Sequence, residues 1–130
     1  MSDARYKVLV VEDNREHLMA LRIKLAALGY DVVYASDGMT ATMMANKEQP
    51  DAIMLDLGLP AGDGFVVLKR LRDSAMTATI PVIVVTARPP AGNYALSMKQ
   101  GATAFLQKPV QTEQIRTVLS KALSGSSSAL

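Results

Sequence analysis

Five side chains with reactive or ligating groups each stand just beyond an apolar run. Glu12 and Asp13 follow KVLVV, Asp56 follows AIML, Thr86 follows VIVV, and Lys108 comes one residue after AFL. Three carboxylates gathered at one place repel one another and call for a cation. With oxygen donors, no cysteine and a single histidine in the chain, the donor set selects a hard ion such as Mg²⁺. A carboxylate is also a competent nucleophile toward phosphorus, forming an acyl phosphate that splits transfer and hydrolysis into separate steps. On that chemistry Asp56 would receive a phosphoryl group, Lys108 would neutralise its charge from one side and the metal from another, and the Thr86 hydroxyl would donate to a phosphate oxygen. Taken singly, each residue has an ordinary explanation: a helix cap or loop acid, a β-forming threonine, a surface lysine. Their convergence is what those explanations leave out.

Convergence depends on the elements that hold them. Five β-branched runs recur, Tyr6 to Val11, Asp31 to Ala35, Asp51 to Leu55, Ile80 to Val85 and Thr103 to Gln107, and each reads as a strand. Segments with apolar residues at helical spacing lie between them, such as Leu18, Leu21, Leu25 and Leu28, or Phe65, Leu68 and Leu71. Strands alternating with helices need crossover connections, and near-continuous apolar strands are buried on both faces. A parallel sheet covered by helices follows, and in such sheets binding sites form outside the carboxyl ends of the strands. Turn residues support the boundaries: Gly29 and Gly101 end helices, Pro50 precedes the third strand, and Pro60, Gly62 and Gly64 mark a loop. A fifth helix from about Gln111 to Leu123 runs into a Ser-rich tail. Residues 1–124 are expected to form one domain, and 125–130 a flexible tail or the start of a linker.

Composition places the chain among folded globular proteins, with 49% apolar and 20% charged residues. The absence of cysteine excludes disulfides and thiolate metal sites and suits a reducing compartment. The apolar run near the N-terminus is cut by two acids, and no stretch approaches the roughly 18 residues of a membrane span. A cytoplasmic location is expected. Net charge is +2 but unevenly spread: residues 1–65 hold 6 Lys or Arg against 10 Asp or Glu (−4), and residues 66–130 hold 8 against 2 (+6). That split fits either a mixed solvated surface or an acidic pocket in one region with a basic partner-binding face in another.

Four segments, V-V-E-D-N at 10–14, L-D-L-G-L-P-A-G-D-G at 55–64, V-V-T-A at 84–87 and G-A-T-A-F-L-Q-K-P at 101–109, together resemble the CheY-like receiver domain of two-component response regulators. The likeness spans residues 5–124. It implies a flavodoxin-like (βα)5 three-layer α/β sandwich with a five-stranded parallel sheet of order 2-1-3-4-5. It implies further that Asp56 is the phosphorylated aspartate and that Mg²⁺ is held by Asp13, Asp56, the Gly58 backbone carbonyl and, through water, Glu12. Thr86, the Ala87 amide and Lys108 would bind the phosphoryl group, with a cis Lys108–Pro109 peptide. Thr86 and Phe105 would act as the switch, altering the face built from the fourth helix, fifth strand and fifth helix. The implied donor is a sensor histidine kinase or histidine phosphotransfer protein. The domain would catalyse only its own phosphorylation and dephosphorylation, bind neither nucleic acid nor membrane, and act as a monomer or a phosphorylation-dependent dimer on an output partner that the sequence does not identify.

Some positions depart from the commonest pattern. Phe105 replaces a frequent tyrosine, and Arg88-Pro89-Pro90 stands where many members carry a polar or acidic stretch, which predicts a stiffened loop with a proline in the first helical turn. Gly58 leaves water access open, and Arg88 would shield or engage the acyl phosphate. His17, one helical turn past the acidic pair, is expected on the helix surface, and the methionines at 39, 43, 44, 54, 76 and 98 as core filler or helix surface. Three other readings compete. A phosphatase of the haloacid dehalogenase type lacks its second acid, since Leu57 and Gly58 follow Asp56. A flavin or nucleotide binder wants a Gly- or Ser/Thr-rich loop where Glu12 and Asp13 stand. A degenerate receiver used only for protein binding sits poorly with complete acidic, Thr and Lys positions.

Overall fold

The computed structural model describes residues 5–59 and 63–124; the expected Ser-rich tail, 125–130, lies outside them. Five strands and five helices alternate: β1 (Lys7–Val11), α1 (Arg15–Ala27), β2 (Asp31–Ala35), α2 (Gly38–Glu48), β3 (Ala52–Leu55), α3 (Gly64–Asp73), β4 (Val82–Thr86), α4 (Pro90–Lys99), β5 (Ala104–Gln107) and α5 (Thr112–Ser124). All strand pairs are parallel, and the sheet order is β2-β1-β3-β4-β5. The flavodoxin-like α/β sandwich implied by the motifs is the fold that forms.

Strand alternation divides the core in two. Val8, Val10, Met54, Ile83 and Val85 pack beneath Leu21 and Leu25 of α1 and Ile115 and Leu119 of α5. Leu9, Val11, Ile53, Leu55, Val82 and Val84 face Ala41 and Ala45 of α2 and Val67, Leu68 and Leu71 of α3. With both faces covered, β3 and β4 are buried throughout, as the unbroken apolar runs require. The methionines divide as expected: Met54 is core, while Met39, Met43 and Met76 are exposed.

Strand edges differ from the sequence reading by one or two residues. Tyr6, Asp51, Ile80, Pro81 and Thr103 fall outside the strands, and β4 runs on to Thr86. The 74–81 connection is held by the half-buried Arg72 guanidinium, which donates to the carbonyls of Ile80 (2.7 Å) and Ala78 (3.2 Å) and through Nε to Gly101 (2.9 Å). The two prolines after Arg88 do not lead straight into a regular helix. Pro90 is the first residue of α4, but Ala91 (φ −55°, ψ 116°) and Gly92 (φ 76°, ψ −36°) take type II turn angles before the helix continues. Only glycine adopts the second of these without strain.

Candidate functional site

The C-terminal ends of β1, β3, β4 and β5 meet at one edge. Register places Val11 beside Leu55 and pairs Thr86 with Gln107, so the residues that follow are neighbours. Glu12 and Asp56 are buried, at 2% and 8% exposure, while Asp13 is exposed. One oxygen from each of the three carboxylates lies within 4.8 Å of the others, an arrangement able to hold a metal ion. The Lys108 ammonium, its side chain 11% exposed, donates to Glu12 and, at 3.2 Å, to Asp56 Oδ2. The Lys108–Pro109 peptide that turns the chain here is cis.

Local chemistry sets the two buried acids apart. Burial pushes the Asp56 carboxyl up, but the Gly58 N–H donating to Oδ1 (3.0 Å), the Lys108 ammonium and the Thr86 hydroxyl outweigh it and hold the group below the usual aspartate range. For Glu12 burial wins: despite Lys108 and the Asn14 N–H on Oε2 (3.1 Å), its carboxyl lies above the usual glutamate range. Asp56 is thus the more firmly ionised of the pair, as a nucleophile must be.

The loops around this edge are pinned by backbone contacts. Asn14 caps α1, its Oδ1 accepting from the His17 N–H at 3.0 Å. Asp63 caps α3 and also meets Arg88, whose guanidinium lies 3.6 Å from Asp63 Oδ2 and over the Phe65 ring. Arg88 thus bridges the loops after β3 and β4, and its amide donates to Thr86 Oγ1 at 3.2 Å. Gly58 is exposed, and Ala87 follows Thr86 directly. Phe105 pairs in register with Val84, half-buried, with the Tyr94 ring edge-on at 5.8 Å.

The family described as response regulator receiver domain matches residues 8–120. The chain belongs to this family. It is 40% identical to the response regulator PleD of Caulobacter vibrioides over 104 residues, 80% of this chain but 23% of PleD. It is 30% identical to protein PilH of Pseudomonas aeruginosa, covering 92% of this chain and 98% of PilH. The chain therefore spans about a quarter of PleD's length and nearly all of PilH's. Among solved structures, the receiver domain of the sensor histidine kinase PA1611 from P. aeruginosa, with a magnesium ion coordinated in its active site cleft, superposes with a TM-score of 0.86 at 28% identity over 93% of this chain and 99% of that one. A response regulator from Chloroflexus aurantiacus reaches 0.89 at 28% identity, covering 93% of this chain and 99% of that one. The receiver domain is a module of two-component signalling, which removes the phosphatase and flavin readings. Among the described residues no helix is long and apolar enough to cross a membrane.

Two residues of this receiver escaped the sequence reading. Gly64 marked a loop; it is the first residue of α3, its N–H donates to the Leu57 carbonyl (3.0 Å), and a Cβ there would lie 2.4 Å from the Asp56 carbonyl oxygen and 2.5 Å from Leu57 Cα. A glycine eight residues past a candidate nucleophile was the available signal. His17 is on the surface of α1 as expected, yet its Nδ1 lies 2.9 Å from Lys108 Nζ; nothing in local sequence links positions so far apart.

Proposed function

We propose that this receiver is a phosphoacceptor switch. A histidine kinase or histidine phosphotransfer protein supplies a phosphoryl group to Asp56, and Mg²⁺ is held by Asp13, Asp56, the Gly58 carbonyl and, through water, Glu12. The observation that supports this best is the joint placement of three carboxylates within 4.8 Å with the Lys108 ammonium on two of them. An all-oxygen, carboxylate-rich donor set fits a hard divalent ion. When bound, the ion would supply positive charge opposite the phosphoryl oxygens.

The chain's own groups do the rest. A bond forms between an Asp56 carboxylate oxygen and phosphorus as the N–P bond of the donor phosphohistidine breaks, and the departing imidazole takes up a proton. The Gly58 N–H, Lys108 and Thr86 keep the attacking carboxylate ionised. Lys108, the Thr86 hydroxyl and the Ala87 amide then hold the phosphoryl oxygens. Thr86 is drawn inward, Phe105 turns into the vacated space, and the face formed by α4, β5 and α5 changes for an output partner. The unit that does this is residues 1–124, its only catalysis is its own phosphorylation and dephosphorylation, and its place is the cytoplasm.

Incubation with Mg²⁺ and acetyl phosphate, followed by intact mass, tests the reading. Gain of one phosphate that is lost in Asp56→Asn supports it. No gain, or a gain that survives the substitution, overturns it.

A further inference from the structure

Lys108 places its ammonium among three acceptors. Nζ donates to Glu12 and to Asp56 Oδ2, and His17 Nδ1 lies 2.9 Å away. An ammonium has three protons and no lone pair. The imidazole nitrogen must therefore accept, and the ring proton must sit on Nε2. His17 is itself anchored, third in α1 with its N–H bound by the Asn14 side chain.

We infer that His17 is a positioning residue for Lys108: its neutral imidazole takes the third ammonium proton and keeps the group aimed at Glu12 and Asp56. This rests on the phosphoacceptor reading of Asp56. A lysine stem is flexible, and two carboxylates leave the ammonium free to swing about the line between them; a third acceptor removes that freedom. His17 is also the one partner of the three with no part in the ion site, so its bond to Lys108 does not compete with the ion.

His17 and Lys108 border a groove of about 320 Å³ whose other charged member is Lys24 of α1, its Nζ spent on the Val110 carbonyl at 2.7 Å, while the end of β4 contributes Val85 and Ala87. Glu12 and Asp56 meet the ring through the Lys108 ammonium, and Asp13 is exposed.

Two measurements test the inference. In protein free of phosphate and Mg²⁺, long-range ¹H–¹⁵N spectra at pH 8 should show His17 as the Nε2–H tautomer with Nδ1 hydrogen-bonded, and Lys108→Met should move the Nδ1 resonance toward that of free imidazole. A protonated Nδ1, or no response to Lys108→Met, overturns the pairing. In phosphorylation by acetyl phosphate with Mg²⁺, His17→Ala should be about three- to tenfold slower at pH 8, the factor expected of one partly exposed hydrogen bond to a charged group. His17→Asn should stay within about twofold, because asparagine Oδ1 stands where Nδ1 stood. An unaffected His17→Ala, or a His17→Asn as slow as His17→Ala, overturns the positioning role. Absence of phosphorylation in the wild type would overturn the phosphoacceptor reading instead, and the tautomer spectra would still decide the His17–Lys108 pair.

Discussion

Gly64→Ala sets two effects of opposite sign against each other. Gly64 begins α3 without a positive φ, so helix propensity alone favours alanine there by up to about 1 kcal/mol. Against this, the added methyl would sit 2.4 Å from the Asp56 carbonyl oxygen and 2.5 Å from Leu57 Cα, where ordinary contact begins at 3.4 Å. Both neighbours are backbone, so relief requires α3 and the β3–α3 loop to separate by about 1 Å, stretching the Gly64–Leu57 hydrogen bond now at 3.0 Å. Overpacking of this kind costs about 1–3 kcal/mol, and losing the hydrogen bond roughly 1 more. The contact wins: the net loss should be about 2 kcal/mol, lowering Tm by roughly 8 °C for a domain of this size. Urea unfolding followed by far-UV circular dichroism measures it. Gly58→Ala is the control, since its methyl would meet only the Asp56 carboxylate oxygens, at an ordinary 3.7 and 4.0 Å, and a change within about 0.5 kcal/mol is expected. Because Asp56 is displaced in Gly64→Ala, its phosphorylation by acetyl phosphate should slow as well. A Gly64→Ala protein as stable as the wild type, or a Gly58→Ala protein damaged equally, would refute the close-approach argument.

Lys108→Met should leave Glu12 and Asp56 buried without their cation, at a loss of about 3 kcal/mol at neutral pH. Both folded carboxyl pKa values then rise relative to those of the wild type, so the variant holds its protons to higher pH and falls further behind as pH rises through that range. The deficit relative to wild type should widen from pH 4 to 7 in urea unfolding and shrink on adding Mg²⁺; a deficit independent of pH would contradict the pairing. Arg72→Ala should remove the donor shared by Ile80, Ala78 and Gly101 and lower stability by about 2 kcal/mol. The same substitution should leave Asp56 phosphorylation unchanged, and a loss under about 0.5 kcal/mol would show that those carbonyls are served equally well by water.

Parallel α/β architecture is legible in local sequence because its strands must be apolar on both faces and its helices on one, and those periods are written into consecutive residues. The candidate site was legible for the same reason: if strands end at one edge, whatever follows them is gathered there. Glu12, Asp56, Thr86 and Lys108 needed only their own strand's end to be located. What could not be read was any contact whose partner is remote. Gly64 differs from a loop glycine only through the Asp56 backbone it touches, and Arg72 looks like a helix-surface cation until the 74–81 segment folds over it. The Ala91–Gly92 turn has a local signal, a glycine at the third position of a type II turn, but two adjacent prolines point equally to a plain helix start.

The opposite charges of the two halves acquire a meaning in the fold. Among the described ion pairs, Arg5–Asp31, Lys7–Glu48, Lys69–Asp73 and Arg116–Glu113 each stay within one half of the chain and lie away from the carboxylate edge. The pairs that join the halves are Lys108 with Glu12, Lys108 with Asp56, and Arg88 with Asp63. All three are at the C-terminal edge of the sheet. β1 and β3 come from the acidic half, β4 and β5 from the basic half, and the sheet order sets the two pairs side by side. Any group that adds negative charge at Asp56 therefore acts on the cations that link the second half to the first. Arg88 and Lys108 stand at the two ends of the segment that contains α4 and β5. An event at one carboxylate thus has a physical route to the part of the chain proposed as the output face: competition for two cations, each already committed to an acid across the site.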